Sequence, residues 1–85
     1  MAETDLKELK QELISIITAH LANPGNEITK DRARKIHNRY MSAVFLQPEM
    51  QHAIGVIVSI GYDTGIETPR KIFLEILQEL KNLDV

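Results

Sequence analysis

The most constraining stretch of the chain is Pro48–Tyr62, PEMQHAIGVIVSIGY, which is its most apolar segment and lies near its middle. The run VIVSI at residues 56–60 is rich in β-branched side chains, which favour a strand. A strand would need a second strand-like segment to pair with, and no other segment of the sequence has that pattern. We therefore predict a helix over residues 48–60, since proline is tolerated in the first turn of a helix.

As a helix, this segment is apolar over roughly 200° of its circumference, which is typical of a helix packed between others. Its main apolar face comprises Met50, Ala53, Ile54, Ile57 and Ile60. A narrow strip of polar or small residues remains, formed by His52, Gly55 and Ser59. The strip is a candidate ligand site or a surface for close helix packing. The simpler interpretation is the solvent-facing side of a central helix.

Three further amphipathic segments have apolar side chains at three- and four-residue spacing. They predict helices over residues 5–21, 30–46 and 69–83. Threonine is the predicted N-cap of each, at Thr4, Thr29 and Thr68. The connections between the predicted helices are short, which favours antiparallel neighbours. We predict an all-α fold, a small antiparallel four-helix bundle in which residues 1–85 form a single helical domain.

Composition narrows the classes of protein to which the chain can belong. Its 85 residues include no cysteine, which excludes disulfides, thiolate metal sites and thiol nucleophiles. The N-terminus lacks a basic start followed by an apolar run, and no stretch of about 18 apolar residues occurs. We expect a cytoplasmic protein that does not enter the membrane. A domain of this size buries only about 60 % of its surface on folding, so association with a partner is a fair expectation.

Basic side chains are concentrated in residues 30–39, which hold half of the 10 lysines and arginines of the chain. In the predicted helix they fall on two flanks of the apolar stripe. Arg32, Lys35 and Arg39 form one flank, and Lys30, Arg34 and His37 form the other. The first flank is a candidate binding surface for a partner protein or for phosphates. Because a helix that reads DNA usually gathers its basic residues on one outward face, the divided pattern favours charges that are solvated or paired with the acidic first helix.

An apolar surplus follows the basic segment. Met41 and Phe45 fall nearly opposite the inward stripe of the predicted second helix, and Leu46 lies beside them. The last turns of that helix are therefore apolar almost all round, and another helix or another subunit must cover them. We interpret Met41, Phe45 and Leu46 as a candidate partner-binding patch.

The histidines are the side chains able to transfer protons near neutral pH. His20 lies within the apolar stripe of the first helix, where the simplest interpretation is a histidine stabilised by the negative end of the helix dipole. His37 and His52 have no partner at the spacing that a helical metal site uses. No nucleophile, base and orienting group can be assembled from the sequence. We expect no enzymatic activity, no metal and no cofactor.

These features favour a small non-enzymatic interaction or regulatory domain, acting as a homodimer or as an adaptor-type or immunity-type binder of another protein. The alternative is a nucleic-acid-binding regulator that uses the basic helix at residues 30–39.

Overall fold

The computed structural model describes residues 3–40, 46–62 and 68–84 of the chain. Within these residues the chain forms four helices and no strand, which confirms the all-α prediction. The helices are α1 (Glu3–Ala22), α2 (Glu27–Tyr40), α3 (Pro48–Gly61) and α4 (Arg70–Asn82). The β-branched run of the central segment is thus helical. Tertiary packing favours the helix over a strand here, because α3 buries the apolar face that the helical wheel predicts.

The core is a single cluster of apolar side chains from all four helices and from Leu46, two residues before α3. Its fully buried members with the largest side chains are Phe73, Leu13, Ile16, Ile17, Met50, Ile57, Ile60, Ile76 and Leu80. This burial confirms the predicted apolar face of α3, and apolar side chains of α1 and α4 at three- and four-residue spacing are buried with it. Leu74 on α4 is exposed, as its outward position on the helical wheel predicts.

The four helices do not contribute equally to the core. Helices α1, α3 and α4 each contact the other two, whereas α2 packs mainly on α3, contacts α1 less, and does not contact α4 within the described ranges. Ala33 is the residue of α2 that enters the core cluster, while Ile36 and Tyr40 are half-buried at its edge. Helix α2 therefore packs on one side of the core, mainly against α3, and leaves a groove beside α1.

The start of α2 differs from the prediction at residue 30, because Asn26 and not Thr29 caps the helix. The Asn26 side-chain oxygen accepts hydrogen bonds from the backbone N–H groups of Ile28, at 3.0 Å, and of Thr29, at 3.2 Å. Thr29 lies inside the first turn and is buried. Asparagine is as good an N-cap as threonine, and here it stands where the chain leaves the Pro24–Gly25 turn. The predicted Thr29 cap is wrong for this reason.

Gly61 lies one residue beyond the predicted end of the central helix at residue 60. It is the last residue of α3, is buried, and lies against α2. A methyl group at this position would lie 2.8 Å from Cγ of Arg34, so glycine allows the two helices to approach closely. The glycine with a positive φ in the described residues is Gly25, at 84°.

Side-chain contacts tie the helix ends together. Lys10 donates a hydrogen bond of 2.8 Å to the carbonyl oxygen of Leu83, and Arg70 donates one of 3.3 Å to that of Leu21. The first half of α1 thus lies beside the end of α4, and the end of α1 lies beside the start of α4. These contacts are compatible with antiparallel neighbours, while the antiparallel bundle as a whole stays a prediction.

Two other helix boundaries shift slightly. Pro69 is the N-cap of α4, one residue after the predicted cap Thr68. Leu46 lies outside both α2 and α3, although the second helix was predicted to include it, and residues 41–45 lie outside the described part of the chain. Along residues 3–40, 46–62 and 68–84, no helix combines the length and the apolar character needed to cross a membrane.

Candidate binding groove between α1 and α2

A surface groove of about 440 Å³ runs between α1 and α2. It exists because α2 leans on α3 and makes its smaller contact with α1. The described residues that line it are Glu8, Leu9, Glu12, Arg32, Lys35, Ile36, Arg39 and Tyr40. The three residues of the predicted basic flank are all among them, so the structure places this flank along a concavity.

The groove has an apolar floor between two charged walls. Leu9 is buried, and Ile36 and Tyr40 are half-buried beside it, so these three side chains form the floor. The α1 wall carries the carboxylates Glu8 and Glu12, and the α2 wall carries three cations. An apolar floor with opposite charges on its two sides is a surface suited to a peptide or helix of matching pattern.

Arg32 holds the two walls together at one end of the groove. Its guanidinium forms an ion pair of 3.0 Å with Glu12 and donates a hydrogen bond of 2.9 Å to the Ser15 hydroxyl. The expectation that the basic flank pairs with the acidic first helix is therefore realised at Arg32. Two of the three guanidinium nitrogens, Nε and Nη2, are engaged within the chain, so Arg32 mainly joins α2 to α1.

Lys35 and Arg39 are less firmly engaged. Lys35 forms an ion pair of 2.9 Å with Asp31 on its own helix, and both side chains are exposed. The Arg39 guanidinium lies 5.6 Å from the centre of the Tyr40 ring. Exposed pairs within one helix are screened by solvent and contribute little to stability. Both cations are consequently available to an incoming group at little cost.

Lys35 also affects the acidity of Asp31, the residue with which it forms an ion pair. The hydrogen bond and charge of Lys35, with a smaller effect of Arg34, lower the pKa of the Asp31 carboxyl. Asp31 is therefore ionised at neutral pH and partly neutralises the α2 wall.

The second flank of α2 faces α3 and takes no part in the groove. Arg34 donates a hydrogen bond of 2.7 Å to the carbonyl oxygen of Gly61, at the end of α3. Lys30 forms an ion pair of 3.1 Å with Glu27. His37 is half-buried, and its Nδ1 atom is buried without a hydrogen-bond partner in the described structure. The division of basic residues into two flanks, predicted from the helical wheel, thus separates two environments.

The predicted apolar patch consists of Met41, Phe45 and Leu46, and the structure describes only Leu46. Met41 and Phe45 lie outside the described residues. Leu46 is only 4 % exposed and belongs to the core cluster, so its side chain is not part of an exposed surface of this chain. Met50, four residues after Leu46, is buried in the same core.

The strip of small and polar residues on α3 faces solvent at two of its three positions. His52 is exposed and lies 3.4 Å from Glu79 on α4. A methyl group at Gly55 would meet nothing within 4 Å, so this glycine allows no close helix approach within the described structure. The Ser59 hydroxyl donates a hydrogen bond of 2.7 Å to the carbonyl oxygen of Val56, one turn earlier. The solvent-facing interpretation is the one that these contacts favour.

His20 is part of the core. It is 5 % exposed, and its ring centre lies 4.8 Å from that of Phe73. Among the described residues, no group of three His, Asp or Glu side chains is placed to hold a metal ion. The three histidines are thus dispersed, one in the core, one on α2 and one on the α3 surface.

Sequence reasoning missed the α1 side of the groove. Glu8 and Glu12 belong to the first helix, which was recognised only as acidic. A signal was present: Glu8, Glu12 and Ser15 recur at four and three residues, which places them on one side of α1. No local sequence pattern indicates that this side of α1 faces the basic flank of α2, because that pairing depends on how α2 packs against α1 and α3.

Comparison of the chain with protein-family models, with curated proteins and with solved structures finds no match.

Proposed function

We propose that this chain is a non-enzymatic protein-binding domain whose partner docks in the groove between α1 and α2. The observation that carries the proposal is the pattern of the groove, in which an apolar floor of Leu9, Ile36 and Tyr40 lies between acidic and basic walls. Apolar anchors surrounded by charged groups are the usual anatomy of a protein interface.

The shape of the α2 surface extends this argument. Ile28 is 72 % exposed and lies within the same 60° arc of α2 as Arg32, Lys35 and Arg39, at about 100° per residue. The outward face of α2 thus carries a large exposed apolar side chain at its start and the groove at its end. A partner that lies along α2 would contact both.

The alternative proposal, a nucleic-acid-binding regulator, has weaker support from the same residues. Glu8 and Glu12 would lie next to any phosphate placed in the groove, and Arg32 is already engaged by Glu12. Binding of nucleic acid depends on lysine and arginine side chains that are free to pair with its phosphates. The carboxylates and the apolar floor favour a protein partner instead.

The test compares two charge-swapped variants with the natural chain as bait in an extract of the cells that produce it. The groove variant combines Glu8→Lys with Arg39→Glu, and the control combines Lys71→Glu with Glu75→Lys on the exposed surface of α4. Both leave the net charge at −2. We expect a partner that binds the natural chain and the control, and that the groove variant no longer captures.

The partner, once purified, is then added to the natural chain, and amide hydrogen exchange should slow in α1 and α2. A partner that binds the groove variant as well as the control contradicts the use of this groove. Light scattering identifies the case in which the partner is a second copy of the chain. A salt-sensitive gel shift with duplex DNA or RNA, lost in the groove variant, would replace the proposal by its alternative.

A further inference from the structure

We infer, building on the proposed function, that the groove binds an amphipathic helix with two acidic residues on one flank and a basic residue on the other. Three features of the groove lead to this pattern: the spacing of the floor residues, the spacing of the exposed cations, and the free carboxylate on the opposite wall.

The floor favours a helical occupant. The groove runs between two helices, and such a groove accepts a third helix whose apolar side chains recur at three- and four-residue spacing. Ile36 and Tyr40 are four residues apart, so they stand about 6 Å apart along α2. A helix lying beside α2 presents its own apolar residues with the same repeat.

The α2 wall selects an acidic flank. Lys35 and Arg39 are also four residues apart, so two carboxylates at positions i and i+4 of an adjacent helix match them. When the partner binds, Lys35 replaces its solvent-exposed ion pair with Asp31 by an ion pair with the partner. Arg39 makes no ion pair within the described structure. Arg32 does not take part, because Glu12 and Ser15 occupy its guanidinium.

The α1 wall selects a base on the other flank. Glu8 is exposed, lines the groove, and makes no ion pair with any residue that the structure describes. Glu12 is already paired with Arg32. One basic side chain of the partner can therefore pair with Glu8 on the α1 wall. Two acidic side chains can pair with Lys35 and Arg39 on the α2 wall. The charges also determine the rotation of the bound helix about its axis.

The experiment selects helical peptides from a displayed library. The library keeps apolar residues along one seam at three- and four-residue spacing, and it varies both flanks fully. The natural chain serves as target. The competitor in solution is a double variant, Lys35→Glu with Arg39→Glu, and a parallel selection uses Lys71→Glu with Lys81→Glu as competitor. The two double variants change the net charge equally, and all four lysine and arginine positions are exposed.

We expect the selected peptides to carry Asp or Glu at i and i+4 on one flank and Lys or Arg on the other. They should bind the α4 control as tightly as the natural chain and the Lys35→Glu, Arg39→Glu variant at least tenfold more weakly. Replacing the two acids of a selected peptide by Lys should restore its binding to that variant. Circular dichroism of each variant verifies that the fold is kept.

The inference is overturned if the selected peptides have no acidic preference, or if their binding is equally strong in both double variants. Enriched peptides that depend on the groove but are extended or uniformly basic overturn the helical, acidic occupant and leave the proposed function standing. Selection of no groove-dependent peptide also overturns the helical occupant. The proposed function itself fails only when the partner captured from cells ignores the groove.

Discussion

The carbonyl oxygen of Gly61, at the end of α3, accepts a hydrogen bond of 2.7 Å from the guanidinium of Arg34 on α2. The same arginine approaches the glycine closely, since a methyl group at Gly61 would lie 2.8 Å from Cγ of Arg34 and 3.3 Å from its backbone nitrogen. This contact joins α2 to α3, the helix on which α2 mainly packs.

Gly61→Ala should destabilise the fold. The new methyl group would push against the backbone of α2 as well as the Arg34 stem, so overpacking should cost about 1–3 kcal/mol of unfolding free energy. Urea denaturation measures the loss. The matched control is Gly55→Ala, where the methyl group meets nothing within 4 Å in the middle of an exposed helix face. Gly55→Ala should instead stabilise the fold by roughly 0.5–1 kcal/mol, and equal effects at the two positions would contradict the close contact of α2 and α3.

Asn26→Ala should cost about 1 kcal/mol, because the backbone N–H groups of Ile28 and Thr29 lose the oxygen that caps them. Asn26→Asp keeps an accepting oxygen and should retain most of the stability. Thr29→Val should cost less than Asn26→Ala, since the Thr29 hydroxyl only reaches Asn26 at 3.5 Å. Thermal unfolding of the three variants tests the assignment, and a larger loss at Thr29 than at Asn26 would speak against it.

The Glu12–Arg32 pair across the groove should show measurable coupling. The two side chains are 39 % and 32 % exposed, so solvent screens them and the interaction should contribute about 0.3–1 kcal/mol. A double-mutant cycle with Glu12→Gln and Arg32→Gln isolates the pair from other effects of the substitutions. The coupling should decrease in 1 M NaCl, where the screening length falls to about 3 Å. An unchanged coupling in salt would mean that packing, and not charge, dominates this contact.

The Asp31 carboxyl should titrate below the ordinary range for aspartate, because Lys35 lowers its pKa. A depressed pKa in the folded chain means that the pair favours folding above the ordinary carboxyl range, and that this contribution disappears as the pH falls through the folded-state value. NMR titration of the Asp31 side chain measures the shift. Lys35→Gln should move the midpoint upward, whereas Lys71→Gln on α4 should leave it in place.

Much of the fold follows from local patterns. The apolar faces of α1, α3 and α4 repeat at three and four residues, and the same residues, Leu13, Ile57 and Phe73 among them, are buried in the structure. The β-branched run of α3 is helical because no second strand was available and because its predicted face enters the core. Helix ends were less predictable, since Asn26 and Thr29 both have side chains suited to an N-cap.

The candidate site was predictable only in part. The basic flank formed by Arg32, Lys35 and Arg39 was recognised from its spacing, and all three residues line the groove. The opposing wall of Glu8 and Glu12 was not recognised as such. A helical wheel places residues around one helix, but it contains no information about which face of another helix lies opposite.

Local patterns in the sequence are sufficient to identify Pro48–Tyr62 as the most apolar segment and to predict four helices, because periodicity and turn residues act over a few positions. The placement of α2, which packs mainly on α3 and makes a smaller contact with α1, appears only in the tertiary structure. That placement rests on contacts between residues far apart in the chain, such as Arg34 with Gly61 and Arg32 with Glu12. The groove results from these distant contacts, and for that physical reason no local pattern reveals it.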